Sequence, residues 1–138
     1  MAEAEHKKIL VVDDEPDVVS LLDLMLKGQG YSVIVAVDGQ EALEKARSEK
    51  PDLILLDIML PRIDGYKVAR MLKFDEKYSQ IPIIMLTAKV QEKDRQMGME
   101  TGADEYITKP FDVTALLAKI KEILLKSPPA GGQARSRS

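Results

Sequence analysis

Apolar residues gather in five short runs along the chain: Ile9 to Val12, Val33 to Val37, Leu53 to Leu56, Ile83 to Leu86 and the weaker Tyr106 to Ile107. Each run is continuous rather than alternating. A strand covered on one face would show a polar residue at every second position, so these runs predict strands buried on both faces, in a parallel sheet sandwiched between helices.

Between the runs the spacing becomes helical. In the first interval Val18, Leu21, Leu22 and Met25 fall on one face with Ser20, Asp23 and Lys27 outside; Pro16 suits the first turn, and Gly28 and Gly30 end the helix. The second opens with Asp38 and Glu41 at capping-box spacing, turns Ala42, Leu43 and Ala46 inward, and stops before Pro51. The third follows Asp64 as N-cap, with Val68, Met71 and Leu72 inward. The fourth, about residues 91–101, is polar from Gln91 through Gln96 and leaves little but Met97 and Met99 to bury, which predicts the least firmly docked helix. The fifth carries Val113, Leu116, Leu117, Ile120 and Leu124.

A strand followed by a helix, five times over, with right-handed crossovers and helices on both faces, is an α/β doubly wound (βα)5 fold. Its commonest small form is flavodoxin-like, a five-stranded parallel sheet of strand order 2-1-3-4-5. The predicted domain occupies residues 8–126, after a polar N-terminal extension at 1–7. From Ser127 to Ser138 the Pro- and Gly-containing segment has nothing to pack and reads as a flexible tail or linker.

Composition narrows the classes. A chain of 138 residues with 45% hydrophobic and 31% charged residues suits one globular domain. Without cysteine there is no disulfide framework, thiolate metal site or thiol nucleophile. No apolar run approaches a bilayer span and residues 1–8 are too polar for a signal peptide, so a soluble, cytoplasmic protein without membrane contact is expected. The net charge of −3 includes Arg135 and Arg137 of the tail, so the remainder is more acidic still, against direct nucleic-acid binding by the domain.

Ligands of this fold bind beyond the carboxyl ends of the strands, where the strand order reverses between the first and third. At those ends stand Asp13 and Asp14, Asp57, Thr87 and Lys109. The acidic pair by itself reads equally as a turn and cap, and Thr87 as a strand former. Asp57, however, closes a buried apolar run, where an acid without a partner is costly. Three converging carboxylates repel one another unless a cation intervenes. Mg²⁺ takes oxygen ligands and needs only a few carboxylates; with Lys109 it would bring the formal charge of the site to zero. Such a site suits phosphoryl transfer, with Asp57 as acceptor and Thr87 able to donate its hydroxyl to the new oxygens.

Val11-Val12-Asp13-Asp14-Glu15, Leu55-Leu56-Asp57-Ile58-Met59-Leu60-Pro61, Asp64-Gly65, Leu86-Thr87-Ala88, Gly102-Ala103-Asp104-Glu105-Tyr106 and Lys109-Pro110-Phe111 together resemble the response-regulator receiver family of two-component signal transduction, over about residues 8–126. The resemblance implies a phosphoprotein in which Asp57 receives its phosphoryl group from a sensor histidine kinase or phosphotransfer protein. It further implies Mg²⁺ held by Asp14, Asp57 and the Met59 carbonyl, with Asp13 acting through water. Lys109 would pair with Asp57 and then with the phosphoryl group, Thr87 and Tyr106 would be coupled switch residues, and Lys109-Pro110 would be cis. The output surface would be the face of the fourth helix, fifth strand and fifth helix. There Arg95, Asp104, Glu105, Lys119 and Lys121 resemble the charged dimer face of the winged-helix transcription-factor subfamily. Ala115 stands where that subfamily usually has an acid, which leaves a homodimer through this face open.

Such a domain assists its own modification without being a turnover enzyme. The nearest enzyme alternative, a phosphatase of the haloacid-dehalogenase type, needs a second aspartate two positions after the nucleophile, where this chain has Met59. A flavodoxin-like cofactor binder would need Gly or Ser/Thr donors where Asp13-Asp14-Glu15-Pro16 stands. A pseudo-receiver that binds partners without phosphorylation would have no need of the full acidic set. Cognate kinase and output are not legible.

Overall fold

A computed structural model describes residues 7–87 and 103–126. The strands are β1 (Lys8–Val12), β2 (Ser32–Ala36), β3 (Leu53–Asp57), β4 (Ile83–Thr87) and β5 (Glu105–Thr108). All four pairings are parallel, as the apolar runs predict, and the order is β2-β1-β3-β4-β5, that of the commonest small form expected for the fold. The helices among the described residues are α1 (Pro16–Gly28), α2 (Gly39–Glu49), α3 (Gly65–Lys73) and α4 (Val113–Lys126), the last being the fifth of the sequence reading. The predicted fourth helix, with Arg95, lies outside the described residues, as do residues 1–6 and the tail from Ser127.

The runs of β1, β3 and β4 are buried on both sides because successive side chains enter two different cores, whereas the edge strands β2 and β5, also predicted to be covered on both faces, are only partly buried because each has a neighbour on one side alone. Leu10, Val12, Ile54, Leu56, Ile83 and Met85 face α2 and α3, where Ala42, Leu43, Ala46, Val68, Ala69 and Leu72 close the layer. Ile9, Val11, Leu53, Leu55, Ile84 and Leu86 face α1 and α4 through Leu22, Leu26, Leu116, Ile120 and Leu124. Each fully buried Leu or Ile contributes roughly 1.5–3 kcal/mol, so the two layers anchor the three central strands, β1, β3 and β4, whose ends form the middle of the carboxyl rim.

Helix caps follow the chemistry of their residues. Asp38 accepts from the Glu41 amide at 2.8 Å and Asp64 from the Lys67 amide at 3.0 Å. The capping box at α2 differs from expectation in one link: the Glu41 carboxylate accepts from the Val37 amide at 2.9 Å, one residue beyond the cap. Two predicted core positions are also corrected. Leu21 and Met71 are exposed, and Leu26 and Ala69 are buried, so each helix is rotated slightly from the face that periodicity selected. The Lys109-Pro110 bond is cis, as the resemblance implies.

At the amino rim of the sheet the charges are matched. Asp52 accepts from the Lys8 amide at 2.7 Å. Lys73, nearly buried, donates to the Ser79 and Ile81 carbonyls at 3.0 and 2.8 Å and pairs with Asp104 at 3.0 Å, while Asp104 also accepts from the Ile83 amide at 2.9 Å.

Candidate functional site

The site lies at the carboxyl rim, where β1 and β3 are neighbours and their connections leave in opposite directions. Asp13 follows β1, and its amide continues the ladder by donating to the Ala36 carbonyl at 3.1 Å. Asp57 ends β3, after which the Ile58 amide donates to the Leu86 carbonyl at 3.1 Å. Thr87 ends β4, and its carbonyl accepts from the Lys109 amide at 2.6 Å. Sheet hydrogen bonding thus carries β1, β3, β4 and β5 to the point where their functional side chains emerge.

Gly65 opens α3 against this rim. A Cβ there would run into the Asp57 carbonyl oxygen and Ile58 Cα, so only glycine allows the loop to fold back under the acid. The Gly65 amide closes it by donating to the Ile58 carbonyl at 2.9 Å.

The geometry brings Asp13, Asp14 and Asp57 together: one carboxylate oxygen from each lies within 4.8 Å of the others. Asp13 is wholly buried and Asp57 nearly so, while Asp14 is exposed. Burial, then the Asp13 charge, pushes the Asp57 carboxyl up to about 6, against the pull of Lys109 and of the Met59 amide that donates to it at 3.4 Å. An all-oxygen, mutually repelling donor set, with two of its three acids buried, fits a hard divalent cation such as Mg²⁺.

Lys109 reaches into this group from the end of β5. Its ammonium donates to Asp13 Oδ2 at 2.9 Å and Glu15 Oε1 at 2.9 Å, and stands 3.7 Å from Asp57 Oδ1. Burial alone would lower its pKa, but the hydrogen bonds to Asp13 and Glu15 and the charges of Asp57 and Asp13 outweigh burial and hold it above the ordinary lysine value. Glu15 is the residue that sequence reasoning passed over. It stands in the quoted Asp13-Asp14-Glu15 segment, but only its distance from Lys109 shows that it joins the site, adding one negative charge to the balance drawn from the sequence.

Thr87 is buried at the end of β4. Tyr106, half-buried in β5, packs against the α2–α3 core layer, with its hydroxyl 3.5 Å from that of Tyr66 in α3. Met59 is exposed in the loop that follows Asp57. On the predicted output face Lys119 pairs with Glu105 at 3.7 Å and with Glu122 at 3.3 Å, and Asp104 is held by Lys73 and the Ile83 amide.

A parallel 2-1-3-4-5 sheet with three acids and a lysine at its switch point defines a class, and comparison with known proteins gives it a name. The response regulator receiver domain family matches residues 9–121, and the chain belongs to that family. It is 52% identical over 122 residues to the alkaline phosphatase synthesis transcriptional regulatory protein PhoP of Bacillus subtilis, over 88% of this chain and 50% of that protein. The chain spans about half the length of the curated relatives it matches. A CheY-like response regulator receiver domain protein from Methanospirillum hungatei superposes with a TM-score of 0.83 at 32% identity, over 88% of this chain and 95% of its own. The receiver domain of a sensor histidine kinase from Pseudomonas aeruginosa, solved with a magnesium ion coordinated in the active site cleft, gives 0.81 at 32% identity, over 88% and 99%.

Proposed function

We propose that this receiver domain accepts a phosphoryl group on Asp57 from the phosphohistidine of a sensor histidine kinase or phosphotransfer protein in the cytoplasm, and that the modified domain controls an output. The observation that carries the reading is the convergence of Asp13, Asp14 and Asp57 on one point with Lys109 beside them. In the transfer an Asp57 carboxylate oxygen forms a bond to phosphorus. The phosphorus–nitrogen bond breaks, and its electron pair returns to the imidazole, which leaves as neutral histidine when its other nitrogen carries the proton.

Asp14, Asp57 and the Met59 carbonyl would hold Mg²⁺, with Asp13 acting through water; the bound ion supplies positive charge that offsets the crowded carboxylates and the incoming phosphoryl oxygens. The relative solved with magnesium in its active site cleft supports this assignment. Lys109 steadies the phosphoryl charge and Thr87 donates its hydroxyl to it. The change passes to Tyr106 and the face of the predicted fourth helix, β5 and α4, shifting an existing equilibrium rather than building a new fold.

The domain assists its own modification and is not a turnover enzyme, since Met59 offers no acid or base where a haloacid-dehalogenase phosphatase needs one. Incubation with acetyl phosphate and Mg²⁺, read by intact mass, should add one phosphoryl group; chelator should prevent it and Asp57→Asn should abolish it. Labelling of Asp57→Asn at the wild-type level would place the acceptor elsewhere.

A further inference from the structure

Lys109 has three donor hydrogens, and two are committed away from the acceptor. They go to Asp13 Oδ2 and Glu15 Oε1, both at 2.9 Å, whereas Asp57 Oδ1 at 3.7 Å lies beyond hydrogen-bond length. Asp13 is fully buried, so its contact with the ammonium is shielded from water and acts as the pivot about which the ammonium can turn. Glu15 is different, because its side chain is 61% exposed and its pair with Lys109 is solvated and easily released.

Glu15 also forgoes its local role. It is the N-cap of α1, and its side chain makes no capping bond there, so the carboxylate is not tied to its own helix. Its own amide donates to Asp13 Oδ1 at 3.0 Å, which fixes the backbone so that the carboxylate extends across the rim to a residue 94 positions away. An exposed pair of this kind adds little to the stability of the fold. Its consequence is where the ammonium points.

Taking Asp57 as the acceptor proposed above, we infer that Glu15 is a positioning residue that parks Lys109 away from Asp57 in the resting domain and thereby slows phosphoryl acceptance. Incoming phosphoryl oxygens must draw the ammonium off Glu15 before it can serve them. Removing the carboxylate, or shortening it so that it no longer reaches, leaves Lys109 free to turn toward Asp57.

The test compares wild type with Glu15→Gln, Glu15→Asp and Asp17→Asn, the last removing an exposed first-turn acid of α1 that is not among the carboxylates paired with Lys109. Initial rates of labelling by acetyl phosphate are followed by intact mass, and the Lys109 ¹⁵Nζ chemical shift is followed by NMR without phosphodonor. Glu15→Gln and Glu15→Asp should each move the Lys109 signal and raise the rate about two- to fivefold, the range an exposed ion pair can supply. Asp17→Asn should change neither. An unmoved Lys109 signal in Glu15→Gln, a wild-type rate in Glu15→Asp, or an equal acceleration in Asp17→Asn would overturn the inference. Failure of every protein to accept a phosphoryl group would instead overturn the assignment of Asp57, while the Lys109 signal would still decide the contact.

Discussion

The two rims of the sheet handle charge in opposite ways. At the amino rim Asp52, Lys73 and Asp104 each find backbone or oppositely charged partners at 2.7–3.0 Å. At the carboxyl rim Asp13, Asp57 and Glu15 crowd around the ammonium of Lys109 with Asp14 beside them, and Asp57 is left with an elevated pKa. The same scaffold carries both, so the imbalance belongs to the side chains placed there rather than to the topology. One rim spends its charges on holding strands and loops together; the other stores repulsion that a bound cation or an incoming phosphoryl group can relieve or redistribute.

The largest expected effect tests the matched rim. Lys73→Met strips two carbonyls and Asp104 of a nearly buried ammonium, and should cost about 3 kcal/mol in chemical denaturation. Phosphoryl acceptance by the folded variant should be unchanged, and a loss of acceptance equal to that of Asp57→Asn would erase the distinction between the rims.

At the other rim the sign reverses. Because the folded pKa of Asp57 is raised to about 6, the folded state holds its proton more tightly than the unfolded chain does, and this contribution to stability rises as pH falls from 7 through 6 toward the ordinary carboxylate value. Asp57→Asn should therefore stabilise the metal-free domain at pH 7 by on the order of 2 kcal/mol and flatten that part of the pH profile. Added Mg²⁺ should raise the melting temperature of the wild type more at pH 7.5 than at pH 5. Destabilisation by Asp57→Asn would show that the acid is held by attraction after all.

Glu41 sharpens the contrast on the same rim, since hydrogen bonding from the Val37 amide, then Lys45, holds its carboxyl below the ordinary range. Its contribution is present above the unfolded pKa and is lost as pH falls through the lower folded one. Glu41→Ala should cost about 1 kcal/mol at pH 7, shrinking on acidification, in thermal melts at several pH values. The smallest effect belongs to Lys8→Ala, which removes an exposed pair with Glu49 at 3.4 Å and should change stability by less than about 0.5 kcal/mol in the same melts.

Strands were legible because burial on both faces imposes a pattern too apolar for anything else of that length, and caps at Asp38 and Asp64 because capping is a contact between near neighbours in sequence. Asp13, Asp14, Asp57, Thr87 and Lys109 were legible as strand-end residues once the topology was inferred. Leu21 and Met71 were misplaced because a 3.6-residue period marks a face only to within one position, and packing against the sheet chooses among adjacent apolar residues. Glu15, Tyr66 and the Lys73–Asp104 tether carried no signal, since each acts across a gap in sequence that no period or motif spans.

The amino-acid order by itself determined the βα alternation, the two-sided burial of the sheet and the acids at its strand ends, because these follow from local spacing and from the cost of leaving apolar surface in water. Only the tertiary structure decided which carboxylate Lys109 serves, since that choice rests on differences of less than 1 Å between side chains brought together from β1, β3 and β5. Electrostatic attraction depends on distance and burial, and sequence separation conveys neither.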